Sequence, residues 1–277
     1  MRDLAFTTLS AAATSVLGTP KPMAKVRLGR AIAAMWRGGS IGDVGSALAP
    51  DRPARPVRPV LLLPRDLPKR KVSREPTGRI ALLHALAHIE LNAIDLAWDM
   101  IARFAAADLP RAFFDDWVGV AAEESGHFAL LDQRLSALGA EYGDLPAHDG
   151  LWAAAEATAH DLLARLAVVP LVLEARGLDV TPAMIARLRA VDDGPSADIL
   201  DIIYRDEIGH VAVGKRWFDH AAATRGLQPV VTWQGLVRRY FKGGVKPPFN
   251  IAAREAAGFS AAFYAPLGDE YMARKAP

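Results

Sequence analysis

The sequence predicts an all-α fold, and three observations carry that prediction. Apolar residues recur every three to four positions along four long stretches between residues 76 and 224. No run alternates apolar and polar residues as a half-buried strand would. Turn-forming clusters such as "GAEYGDLPAHDG" separate the periodic stretches.

Taken in order, residues 1–40 carry one or two short helical patterns. The opening "MRDLAFTTLSAAATSVLGTP" reads as an amphipathic helix rather than a signal peptide, because Asp3 and scattered Thr and Ser interrupt its apolar run. A cytoplasmic location is therefore expected. The following "GGSIGDVGSALAPDRPARPVRPVLLLPRDLPKRK" holds too much Pro and Gly for regular structure and is expected to wrap or link. The first long helix spans about 76–106, with Ser73 and Pro76 as start signals. Pro110 ends that region, and a second helix covers about 111–138. A third is expected over about 150–176, kinked at Pro170 and stopped by Gly177. After the partly helical "LDVTPAMIARLRAVDDGPSA", a fourth runs over about 196–224, and the tail "GGVKPPFNIAAREAAGFSAAFYAPLG" holds a proline-rich bend and one short helix. The organisation that follows is a basic arm and Pro-rich wrapping segment (1–75), a four-helix bundle (76–224) and a C-terminal extension (225–277).

Composition narrows the chemistry. At 277 residues and 51% hydrophobic, the chain can bury a substantial core. It has no cysteine, which excludes disulfides, thiolate metal sites, iron–sulfur clusters and cysteine nucleophiles. Any metal must be held by Asp, Glu and His. Apolar runs are broken by His, Arg or Asp before the roughly 20 residues of a membrane span, so no membrane is expected. Net charge is +2, but residues 1–79 carry +10 and the remainder −8. Such an arm fits an anionic partner, nucleic acid included, or the acidic body of its own or a neighbouring subunit. Base stacking is poorly served, because Phe6 and Trp36 are the arm's only aromatics. Its run Val60, Leu61, Leu62, Leu63, held extended between Pro59 and Pro64, is expected to be covered.

The functional signal lies on the buried faces. Glu124 and His127 fall inside the apolar stripe Trp117, Val120, Ala121, Phe128, Leu131 and Leu135. Buried there, they cost several kcal/mol unless paired. Glu207 and His210 repeat the spacing on the stripe Leu200, Ile203, Gly214 and Trp217, while Glu90 and Glu174 each stand alone on the helix before. Glu90 precedes Glu124 by 34 residues and Glu174 precedes Glu207 by 33, as two similar antiparallel hairpins require. The 50 residues from Glu124 to Glu174 leave room for a crossover. Glu, Glu-x-x-His, Glu, Glu-x-x-His is the ligand order of a dinuclear carboxylate site in a helical bundle. Two divalent ions would be neutralised by four carboxylates with two neutral imidazoles. The chain uses Asp over Glu by 21 to 10, yet has Glu at all four positions.

Further candidates surround these six. Glu123 and Asp206 each stand four residues before a ligand histidine, where a carboxylate could orient the imidazole. Tyr204, one turn before Glu207, is a candidate radical or proton donor. Gly126, Gly209 and Gly214 are expected to thin the helices beside the ligands. His84 and His88 are read as packing or surface residues, His88 lying about 200° round its helix from Glu90.

The stretches "HALAHIELNAIDLAWD", "DDWVGVAAEESGHFALL", "YGDLPAHDGLW", "ARLAVVPLVLEARGLDVTP", "DEIGHVAVGKRWF" and "VKPPFN" resemble the ferritin-like proteins grouped as domain of unknown function family 455, mostly bacterial, over the full chain. The resemblance implies a ferritin-like fold and a di-iron or related site at Glu90, Glu124, His127, Glu174, Glu207 and His210, and no known reaction. Where such families usually read Ala-Arg, this chain has Ser125 and Gly126, which is expected to loosen the second helix. The expected function is an oxygen-activating oxidase or hydroxylase of a small or medium organic substrate, with two iron ions, or manganese or a mixed Mn/Fe pair. A hydroxylase would need an external electron donor. The alternatives are a tRNA-modifying hydroxylase and a non-catalytic iron store or peroxide-detoxifying protein, and a homodimer is a further option.

Overall fold

The structure is a computed structural model, and it describes residues 6–68, 73–106 and 108–275. The described residues are all-α as expected, with two isolated extended pairings, Thr8 with Asp43 and Leu61 with Ala147. The chain divides into two compact units, one ending at Trp152 and the other beginning at Ala153. A short helix, α5 (Gly150–Ala157), runs through that junction.

In the first unit, α1 (Leu9–Leu17) starts at Thr8, whose hydroxyl accepts from the Ala11 amide, and α2 (Pro22–Arg37) opens on a proline. The centre is an antiparallel hairpin of α3 (Pro76–Arg103) and α4 (Arg111–Ala137). Pro76 stands at its expected place at the start of α3. Leu83, Ala87, Leu91, Ile94 and Trp98 of α3 are buried, as are Phe113, Trp117, Ala121, Phe128, Leu131 and Leu135 of α4. Each large side chain so covered contributes about 1.5–3 kcal/mol. α1 packs on α3 and α2 on α4. Gly29 permits that approach, since a Cβ there would stand 3.0 Å from Trp98 Nε1.

One expectation about α3 needs correction. An 18-residue window of this helix has mean hydropathy 1.4 with few charges, so it is long and apolar enough to cross a membrane. Its broken apolar runs therefore do not by themselves exclude a span. The window is 72% buried within the protein, as a core helix would be.

The Pro-rich segment lies along the first unit by polar ties. Ala54 N donates to Leu17 O at 2.8 Å, Arg103 Nη2 to Pro50 O at 2.6 Å, and Leu62 N to Ala147 O at 2.8 Å. Part of the arm's positive charge is used here: Lys25 and Arg55 pair with Asp95, and Arg52 with Asp149. The apolar run, however, is not covered by the described residues of its own chain. Val60, Leu61, Leu62 and Leu63 are 60%, 45%, 37% and 54% exposed. The segment is held by backbone hydrogen bonds of Val60 and Leu62 to Ala147, which leave its side chains outside.

In the second unit, the expected single helix over 150–176 is broken. Beyond α5 the chain restarts at α6 (Leu162–Val168), where Asp161 caps the Leu163 amide at 3.2 Å. It passes through a π-helical turn (Val169–Glu174) and continues as α7 (Ala175–Ala190). Gly177 thus sits inside α7 rather than ending it. Glycine costs only about 1 kcal/mol there, and α7 beyond it buries Leu178, Ile185 and Leu188. Asp193 then caps α8 (Gly194–Thr224), which packs along α6, the π turn and α7.

The rest of this unit is α9 (Pro229–Tyr240), α10 (Ile251–Ala256) and α11 (Ala261–Ala273), so the tail after Gly243 holds two helices where one was expected. Arg254 pins the tail. It is buried, donates to Asp179 on α7 at 2.7 Å, and lies over the rings of Phe249, Phe259 and Tyr264.

Candidate metal centre

In the first unit the hairpin brings three of the expected ligands together. Glu90 comes from α3; Glu124 and His127, one turn apart, come from α4. Their exposures are 3%, 0% and 2%. His127 Nδ1 lies 3.3 Å from Glu124 Oε2 and 3.4 Å from Glu90 Oε2, and the three offer ligand atoms within 4.8 Å of one another. α4 is unbroken through Ser125 and Gly126. Ser125 Oγ is satisfied by the Ala121 carbonyl at 2.7 Å.

The electrostatics of this group call for a cation. Burial, reinforced by the charge of Glu124, raises the Glu90 carboxyl well above the ordinary range. Burial opposes the charged form of His127, but hydrogen bonds and charge from Glu124 and Glu90 outweigh it and push the imidazole up to about 11. Two carboxylates share a single imidazole in a dry site. Carboxylate oxygen with imidazole nitrogen is a donor set that iron, manganese and zinc accept, so the group is able to hold a divalent ion.

In the second unit, Glu207 and His210 are both buried on α8, with His210 Nδ1 3.8 Å from Glu207 Oε1. Glu174 is half-buried at the end of the π turn. Pro170, where the sequence calls for a kink, is the second residue of that turn. Its lack of an N–H is tolerated because the ladder is already irregular, and Trp233 Nε1 donates to the nearby Ala167 carbonyl at 3.0 Å. Gly214, one turn after His210, receives Pro170: a Cβ on Gly214 would lie 2.3 Å from the proline Cβ. This close approach sets the π turn against α8.

Gly209 is exposed, and a Cβ on either Gly209 or Gly126 would meet nothing within 4 Å, so neither thins a wall against a neighbour. Of the three glycines, Gly214 alone serves close packing. Glu123 is exposed and Asp206 half-buried. Tyr204 is half-buried and its hydroxyl accepts from Asn250 Nδ2 at 2.8 Å, beside a surface cleft lined by Asp198, Asp201, Ile202 and Arg205. His84 and His88 are buried packing residues: His84 Nε2 accepts from the Gly143 amide at 2.9 Å, and His88 bonds Tyr142 and His148.

Sequence reading missed one polar group entirely. Lys25, Arg55, Asn92 and Asp95 form a network behind α3, with Asp95 fully buried. The available signal was Asp95 itself, a charge within an otherwise apolar helix.

Fold and site define a class: an all-α protein whose buried groups Glu90, Glu124 and His127 are able to hold a metal ion. Residues 18–265 match the family described as "Protein of unknown function (DUF455)", and the chain belongs to that family. It is 46% identical over 210 residues to an uncharacterized protein of Haemophilus influenzae, an alignment covering 73% of this chain and 71% of that protein. No solved structure matches the chain.

Proposed function

We propose that the protein is a ferritin-like dinuclear metal protein that oxidises a small or medium organic substrate with dioxygen. In this reading Glu90, Glu124 and His127 of the first unit and Glu174, Glu207 and His210 of the second are the metal ligands. The observation that carries it is the buried Glu90, Glu124 and His127 group, whose ligand atoms lie within 4.8 Å of one another on the apolar faces of α3 and α4. Support for the second half is the repeat of the Glu-x-x-His pair on α8, buried like the first, with a Glu 33 residues before it.

Iron is the expected metal, and manganese or a mixed pair would accept the same donors. When bound, a ferrous pair supplies the electrons that reduce dioxygen. The chain's own part is to bind and to exclude. Glu90, Glu124, Glu174 and Glu207 would hold the ions as carboxylates, and His127 and His210 would hold them as neutral imidazoles. Trp117, Val120, Phe128 and Leu131, all buried on the face of α4 that carries the ligands, keep water from the first half-site. With no cysteine in the chain, repeated turnover as a hydroxylase draws electrons from a separate donor. The tRNA-hydroxylase alternative rests on the basic arm, and that arm has already committed Lys25, Arg52 and Arg55 to Asp95 and Asp149.

The test is to load the protein anaerobically with ferrous iron, admit oxygen, and follow oxygen uptake and retained iron with an added reductant. Uptake sustained by the reductant at constant metal content supports an oxidase or hydroxylase. Uptake that stops while ferric iron accumulates to many ions per chain means storage instead.

A further inference from the structure

We propose a second ligand site within the first unit: a pocket for the carboxylate of a small organic acid, on the flank of α3 turned away from Glu90. His88 and Glu90 are two positions apart, which places their side chains about 200° apart around the helix, and His88 lines this pocket. Its volume is about 50 Å³, and its walls include Arg52, Arg55, Pro59, Leu61, Tyr142 and Trp152.

A census of its polar groups shows what is unused. His88 is fully engaged, Nδ1 with Tyr142 Oη at 2.8 Å and Nε2 with the His148 carbonyl at 3.0 Å. Arg52 is held by Asp149, the pocket's own acid. Arg55 commits only Nη2, to Asn92 Oδ1 at 2.8 Å and Asp95 Oδ2 at 2.9 Å. Its Nε and Nη1 have no protein acceptor among the described residues. Trp152 is 1% exposed, and its indole N–H finds no acceptor among the described residues. Buried indole N–H groups almost always have one. The unused groups are therefore donors, one of them cationic.

An anionic acceptor satisfies them. A planar guanidinium edge matches a carboxylate, and the space holds only a few heavy atoms. Pro53, Pro56, Pro59 and Leu61 give a hydrocarbon part an apolar wall, which inorganic phosphate could not use. Prolines also fix that wall in advance, so little order is lost on binding.

The test uses the full-length protein with 15N-labelled tryptophan. The Trp152 indole N–H resonance, assigned by its loss in Trp152→Phe, is followed during titration with butyrate, acetate and inorganic phosphate at constant ionic strength. We expect a saturable downfield shift with butyrate, a weaker one with acetate and none with phosphate. Trp152→Phe, which keeps an aromatic ring, though a smaller one, and loses the donor, should weaken butyrate binding at least tenfold by calorimetry without changing bound metal. Arg55→Lys, which keeps the charge beside Asp95, should weaken it as well. No saturable shift with any of the three, an unchanged affinity in Trp152→Phe, or saturation by phosphate alone would overturn the assignment.

Discussion

Pro170 fills the space that a side chain on Gly214 would need: a Cβ there would lie 2.3 Å from the proline Cβ and 2.6 Å from its Cγ. Neither atom belongs to a flexible chain end, so Gly214→Ala must push the π turn away from α8. The expected cost is about 1–3 kcal/mol. Gly209→Ala is the control on the same helix. It enters open space and removes a helix-interior glycine, so it should be neutral or stabilising by up to about 1 kcal/mol. Urea unfolding midpoints of the two variants check both signs.

Asp95 holds Lys25 and Arg55 at once, and neither Asp95 nor Lys25 meets solvent. Burial lowers the Lys25 pKa, and Asp95 only partly restores it, so the ammonium depends on its partner. Asp95→Ala leaves a buried cation behind and should cost about 3–5 kcal/mol. A melting temperature within a degree or two of wild type would mean that water or another residue takes over the role.

The α6 cap gives a prediction in pH. Burial raises the Asp161 pKa, but the Arg225 guanidinium and the capped amides outweigh it and hold the carboxyl below the usual range. A depressed carboxyl contributes stability above the unfolded-state pKa of about 3.9 and loses it as pH falls through the folded value. Asn caps nearly as well as Asp but does not titrate. Wild type should therefore exceed Asp161→Asn in stability at pH 7, and the gap should be smaller at pH 3. Denaturant melts at the two pH values measure it.

Much of this was legible in the sequence because it is local and periodic. The apolar stripes, Pro76 and Pro110 mark α3 and α4 within a few residues, and the carboxylates and imidazoles interrupting those stripes mark Glu90, Glu124 and His127. What escaped depends on distant partners. Pro170 announces a disturbance, but a π turn rather than a simple kink follows from how closely α8 approaches at Gly214. The Lys25–Asp95 pair joins positions 70 residues apart, and no short-range pattern signals it. The run Val60–Leu63 reads as buried from its composition. Its exposure follows from backbone pairing with Ala147, which a hydrophobicity pattern does not register.

The chelation response is the simplest check that the protein carries metal. Ligand binding stabilises the folded state by mass action, so removing metal with a strong chelator should lower the melting temperature by several degrees. Restoring ferrous iron should return it. The same treatment of Glu124→Gln should produce little change.

Metal stoichiometry distinguishes a dinuclear metal protein from a metal-free one. Protein purified from its native host, or reconstituted with ferrous iron and freed of excess, is weighed by native mass spectrometry alongside His127→Ala and Glu207→Gln. Two ions per chain in the wild type, with loss of one or both in each variant, is the result predicted for a shared dinuclear site. A wild type that retains no iron or manganese, or one whose two ions are unaffected by both substitutions, would contradict it.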